Sequence, residues 1–293
     1  MRIDETSDNI EFKQKHDKKM KKAKRKKRIK FFKNLFILIL FIVAAIALAL
    51  SPLFSIDRFE VKGNKHYTDD EIINVSGLIR GSNWFRSKEA NLIDILLLRS
   101  TAAQENILKK CSYIKSATVR LKTPRSVGIT VTEREPEALV PYMGTYLVID
   151  SEGWVLDAYS NVEGYSLTEI KGLNIKYYEK GQALVTENTG WLESYNKVMD
   201  VIKRTEINSD NNTDVEAKKE KRISKHIKYI DFSKEGNVYI NLDSRVTVSL
   251  GDVNDLNEYK IVFLKEIYFE HLTETDRGYL DFTTGDRPSF IPE

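Results

Sequence analysis

The chain has 293 residues, with 46 Lys and Arg against 43 Asp and Glu, four His and a single Cys. One cysteine excludes an intrachain disulfide framework, so whatever folds must do so on its apolar core. Charge is placed unevenly: residues 1–33 carry 14 basic and 5 acidic side chains and residues 57–293 carry 32 and 38, and an acidic body of that kind argues against binding a polyanion.

Residues 13–33 are dense in Lys and Arg, and an uncharged stretch over 34–56 follows directly. As a helix that stretch would run roughly 34 Å, enough for a hydrocarbon core of about 30 Å. Its dozen or so Leu, Ile, Phe and Val residues favour insertion by about 5 kcal/mol. Only Asp57, Arg58 and Lys62 follow closely, so the positive-inside rule predicts a cytoplasmic basic tail (1–33), a transmembrane helix (34–56) and an exported remainder. Ala47-Leu48-Ala49 fits a cleavage pattern, but the basic region and the apolar run both exceed a secretory signal. The tail carries no interleaved aromatics before Phe31 and Phe32. It is therefore read as topogenic, with anionic lipid as its possible partner and no nucleic acid.

Next comes a short alternating strand from Ile56 through Phe59 and Val61, then a turn at Gly63-Asn64. Thr68 with Glu71 forms a capping-box pattern, and Gly77 closes that helix. A longer segment over 86–100 carries the apolar run Leu92-Ile93-Asp94-Ile95-Leu96-Leu97-Leu98, read as an extra helical turn packing on the sheet. A second helix is expected over 101–110 and two strands over 117–122 and 127–132, joined at Pro124. Cys111, with no nearby His, reads as a small buried residue at a helix end.

Val61-Lys62-Gly63-Asn64, Tyr113-Ile114-Lys115-Ser116-Ala117 and Val131-Thr132-Glu133-Arg134-Glu135-Pro136, in that order behind a basic tail and an anchor, resemble the FtsQ/DivIB bacterial cell-division proteins. The resemblance implies a POTRA domain (β-α-α-β-β, residues 57–135) followed by a β domain (136–284) and a C-terminal tail (285–293). The segment over 86–100 is longer than the family pattern. In that second domain, Tyr146 to Ile149, the turn Asp150-Ser151-Glu152-Gly153 and Trp154 to Leu156 read as a hairpin. Leu192, Tyr195, Met199 and Ile202 mark a helix over 190–204, and 208–221 reads as a flexible loop. Asp210-Asn211-Asn212 lacks the Gly and Glu of a calcium loop. Three strands (227–232, 238–242, 246–250) form an antiparallel sheet. A helix with Leu256, Tyr259, Phe263 and Ile267, capped at Asp255, follows, and then a last strand over 278–283. The expected class is α+β, with a mostly antiparallel sheet and flanking helices.

No G-x-S-x-G, phosphate loop, H-E-x-x-H or ligand-spaced His group is present, and the pairs Glu133/Glu135 and Asp69/Asp70 have structural explanations at a strand exit and a helix first turn. No enzyme activity, cofactor or metal is expected. An exposed strand edge can instead capture an extended partner by β-augmentation. The last strand, Tyr279, Leu280, Asp281, Phe282 and Thr283, would be that edge, with Phe290 as a nearby apolar anchor. The family resemblance implies that it docks FtsB/DivIC, which pairs with FtsL, in regulating septal peptidoglycan synthesis. The same strand can also pack one face on the helix around Phe263. The alternative is a POTRA-type polypeptide-binding component of a transport system, although one copy and no barrel-length strand series are seen. A wall-polymer binding protein would need aromatic-lined grooves, and Trp84, Trp154 and Trp191 are each explained as packing.

Overall fold

The computed structural model describes residues 4–86, 91–162, 164–210, 221–234, 236–284 and 287–293, with side chains from residue 25 onward except at 123 and 208–210. Helix α1 (Asp4–Ala49) carries the basic tail and the apolar stretch as one rod. Arg25–Ala49 is long and apolar enough to cross a membrane, and none of that stretch is buried within the protein. The helix stops at Ala49 instead of running to Ile56, because Pro52 lacks an N–H and its fixed φ suits a turn start. Ser51 caps the 3-10 turn Pro52–Phe54, and Ile56 is already buried with its N–H on Ser82 O at 2.8 Å.

Two compact units follow from the contacts. The first comprises Met1–Glu60, Leu78–Ala102 and Val119–Ile129; the second comprises Val61–Gly77, Ala103–Thr118 and Thr130–Glu293. A three-stranded sheet is ordered β1 (Arg58–Lys62), β3 (Ser126–Glu133), β2 (Ile114–Thr123). Helix α2 (Asp69–Ser76) has the expected capping box between Thr68 and Glu71 and a left-handed Gly77 at its end. Short helix α3 (Leu92–Leu96) precedes α4 (Thr101–Lys110). The run around α3 does form a helical turn, but it does not pack as expected. Asp94 is buried while Leu92 and Leu96 are 84% and 81% exposed.

In the second unit, β4 (Ala138–Tyr142), β5 (Thr145–Ile149), β6 (Val155–Tyr159), β7 (Thr168–Lys171), β10 (Ile227–Asp231), β11 (Val238–Leu242), β12 (Val246–Gly251), β13 (Gly278–Asp281) and β14 (Ser289–Pro292) make one sheet. Its order is β14-β13-β12-β11-β10-β7-β4-β5-β6. Five of its pairings are antiparallel; β4/β7, β7/β10 and β12/β13 are parallel. Strands β8 (Ile175–Tyr177) and β9 (Val185–Thr186) form a separate hairpin.

Helix α5 (Trp191–Asp210) buries Tyr195, Val198, Met199 and Ile202 in the core beneath the sheet. Asn208 to Asp210 continue this helix; the rest of the loop expected over 208–221 lies outside the described residues up to 220. Helix α6 (Glu258–Glu266) is capped by Asn257, which accepts from Lys260 N–H at 3.1 Å, and not by Asp255. Asp255 instead ends a 3-10 turn that Asp252 caps. Ile261 and Leu264 of α6 and Tyr268 in the π-helical turn after it are buried, whereas Tyr259 is 68% exposed.

Candidate partner-binding edge

Register divides the sheet into two kinds of row. Ile170, Ile230, Ile240, Val248, Leu280 and Phe290 stand side by side across six strands, and all pack in the core with α5 and α6. One residue along, the row is Glu169, Tyr229, Asn241, Thr247, Tyr279 and Ile291. Successive strand side chains point to opposite faces, so this second row lies on the face away from the helices.

Strand β13 is not the edge that the sequence suggested. Strand β14 covers its outer side, pairing Tyr279 with Ile291, Leu280 with Phe290 and Asp281 with Ser289. The segment expected to be a tail thus supplies the terminal strand. Glu293 N–H bonds Arg277 O at 3.0 Å, and antiparallel alternation then makes Tyr279/Ile291 a hydrogen-bonded pair and Leu280/Phe290 a non-bonded one. The backbone N–H and C=O of Phe290 therefore point away from β13, while its side chain packs against the core. Ile291, with 57% of its surface exposed, is the outward apolar side chain.

The remaining candidate residues are occupied locally. Asp281 accepts from Thr283 N–H (2.7 Å), Thr283 Oγ1 (2.6 Å) and Thr284 Oγ1 (3.0 Å). Partial burial pushes the Asp281 carboxyl upward, but the bonds from Thr283 and Thr284 outweigh it and hold the group below its ordinary value. Phe282 N–H bonds Ser249 O at 3.0 Å, and the Phe282 ring joins the core. Of the six expected residues, then, Tyr279 keeps an accessible side chain on the open face and Phe290 an accessible backbone. The Tyr279 ring lies 6.5 Å from that of Tyr239, over which Lys234 Nζ sits at 5.0 Å. Sequence reasoning missed Ile291 and Gly278. A Cβ on Gly278 would come within 2.2 Å of Ile291 O, so glycine there lets β14 pair.

The quoted motifs around β1 and β3 are also built into the fold. Gly63 has φ +91°, and a Cβ there would fall 2.0 Å from Val131 O. The loop after it is held by Glu133, whose carboxylate accepts from the N–H groups of Lys65 (2.9 Å), His66 (2.8 Å) and Tyr67 (3.3 Å). Arg134 donates to Asp150 and Glu152. Among the described residues, no group of three His, Cys, Asp or Glu side chains is placed to hold a metal ion.

Residues 54–134 match the POTRA domain, FtsQ-type. The chain is 29% identical over 150 residues to the cell division protein DivIB of Clostridium acetobutylicum, covering 51% of this chain and 55% of that protein. It is 31% identical over 102 residues to the cell division protein FtsQ of Corynebacterium glutamicum, covering 35% and 40%. The chain is thus similar to FtsQ and DivIB cell division proteins, and residues 54–134 carry the FtsQ-type POTRA match. A longer match, 24% identical over 213 residues, covers 71% of this chain and 72% of the FtsQ of Rickettsia conorii. The first two FtsQ/DivIB relatives are spanned over only about half of their length. Within the FtsQ-type match, Gly63 is required by its close approach to Val131, and Glu133 is occupied by three backbone N–H groups. Glu135 lies on the surface, 3.7 Å from Lys65.

Proposed function

We propose that the chain is a non-catalytic, membrane-anchored scaffold of the bacterial division machinery. Its basic tail is cytoplasmic, α1 spans the membrane at the septum, and the remainder lies outside the cytoplasm. There it holds FtsB/DivIC-like and FtsL-like partners and so regulates septal peptidoglycan synthesis. The observation that carries the reading is the outermost strand β14, whose Phe290 backbone groups point away from the sheet beside an exposed Ile291. An extended segment can add there as a further strand, with Ile291 and Tyr279 supplying side-chain contacts on the open face. The short strand and Pro292, which has no N–H, restrict pairing to a few bonds and discourage indiscriminate edge association.

Affinity capture of the full chain from solubilised membranes, followed by mass spectrometry, tests this. Wild type should recover small single-span coiled-coil division proteins, and Ile291→Asp or Tyr279→Asp should lose them while staying folded. Undiminished capture by both variants would sink the edge, and recovery of unfolded secretory clients would sink the scaffold reading.

A further inference from the structure

The turn at α3 is built inside out. Asn91 caps it, accepting from Asp94 N–H at 2.8 Å. The buried Asp94 carboxylate takes Arg99 Nε at 2.9 Å and Thr101 Oγ1 at 2.7 Å. Leu98 adopts a left-handed φ of 50°, which lets its carbonyl accept from Leu121 N–H at 2.9 Å while Ser100 N–H bonds Val119 O at 3.0 Å. A polar hub thus fixes the turn, and Leu92, Ile93, Leu96 and Leu97 face outward. Such a rigidly presented apolar patch marks a contact surface.

Its place in the unit says which contact. Stepping from Ser100 back to Leu98 runs along β2 from Val119 toward Leu121 and the turn before β3. That turn sits at the start of β1, since Arg125 O accepts from both Asp57 N–H (2.8 Å) and Arg58 N–H (3.2 Å). The same end is clamped to the membrane helix. Asn83 Nδ2 donates to Ala49 O (3.0 Å) and Ser51 O (2.8 Å), and Asn83 Oδ1 accepts from Phe85 N–H (3.0 Å). The rings of Phe54 and Phe85 meet edge to face at 5.1 Å. Ile79, 70% exposed, and Leu53, 49% exposed, flank this clamp. Exposed Arg80 and Arg86 adjoin it in sequence, suited to lipid phosphates.

We propose that Leu53, Ile79, Leu92, Ile93, Leu96 and Leu97 form a second, peripheral bilayer contact, seated in the interface of the leaflet from which α1 emerges. The occupant is lipid, because α3 hangs on the end of β2 that leads to the start of β1 and so to the clamp on α1. Leucines at the level of the headgroup and acyl boundary leave water as an interfacial helix face does. The inference rests on α1 spanning the membrane, and the test separates the two.

In a Cys111→Ser background, single cysteines at Leu96, at Leu92 and at Ile46 within α1 carry an environment-sensitive dye, and the full chain is placed in nanodiscs of phosphatidylglycerol and phosphatidylcholine. At 92 and 96 the expected result is a blue shift, loss of fluorescence to lipids spin-labelled near the headgroup, and protection from aqueous iodide. Lipid quenching at 46 alone, with iodide quenching at 92 and 96, overturns the second contact and leaves the span. Protection of 92 and 96 from both quenchers also overturns it, in favour of a protein occupant. Iodide quenching at 46 overturns the span itself. Leu92 and Leu96 are mostly exposed, so a label at either leaves the fold intact.

Discussion

Arg134 Nη1 lies 2.5 Å from Asp150 Oδ2, and each side chain is only 6% exposed. The guanidinium also stacks over the Trp154 ring at 4.1 Å and reaches Glu152 at 2.9 Å. Asp150 Oδ1 accepts from Glu152 and Trp154 N–H at 2.9 and 2.8 Å. One pair therefore ties the end of β3 to the β5–β6 turn. Lys115 and then Arg134 hold the Glu152 carboxyl below its ordinary value.

Removing one partner leaves a buried charge without its counterion, which typically costs about 3–5 kcal/mol. Arg134→Met should accordingly lower the urea midpoint of the full chain markedly, followed by circular dichroism. The double variant Arg134→Met/Asp150→Leu should recover much of the loss, since no lone charge remains. Additive losses would show that the pair is not coupled.

Gly278→Ala places a methyl group 2.2 Å from Ile291 O. Strand β14 should detach while the core row through Leu280 persists. Hydrogen exchange at the Ile291 amide should lose protection by tenfold or more, with Val248 unchanged, and partner capture should fall in step. An Ile291 amide that stays protected would contradict the assigned pairing.

Tyr268 OH donates to Asp243 Oδ2 at 2.5 Å, and His226 Nδ1 lies 2.6 Å from the same oxygen. Tyr268→Phe should cost about 1.5–3 kcal/mol, as for a hydrogen bond to a charged group. Burial first, and then the Asp243 bond, push the phenol up to about 12 from 10.0. A raised folded-state value gives stability that is complete below pH 10 and drains away as pH climbs toward 12. The phenylalanine variant should therefore show a shallower alkaline loss of stability than wild type.

Asp94 has the opposite sign. The Thr101 hydroxyl first, opposed by burial, and then Arg99 keep its carboxyl below the ordinary 3.8. Its contribution is complete above that value and is lost as pH falls below it. Asp94→Asn should loosen the turn at neutral pH, seen as a shift and broadening of the Arg99 amide signal, whose N–H bonds Asp94 O at 3.0 Å. A wild-type Arg99 amide that moved between pH 7 and 5 would place the carboxyl far higher.

What could be read in advance followed from local chemistry. Thr68, Glu71 and Gly77 bound α2 because capping uses residues within one turn. Residues 101–110 form α4 as expected. Strands β10 to β12 matched because period-two alternation records which face is buried. The misses were tertiary. The Leu-rich run around α3 reads as core until Asp94 is seen to take the inside position. Strand β14 offers only Ser289, Phe290 and Ile291 before Pro292, and nothing in so short a string tells that β13 will accept it. Asn257 and Asp255 are both good caps, and only the packing of Ile261 and Leu264 selects the later one.

Strands β12 and β13 are parallel, so the chain must cross over through α6 before β13 can join, and only then does β14 have a neighbour. Such a non-local pairing is slow to form compared with the hairpins that precede it. The outermost strand is thus laid down only after that crossover. A chain in which β13 has not yet joined β12 has no β14 edge at all, so that edge exists only where the sheet beneath it is complete.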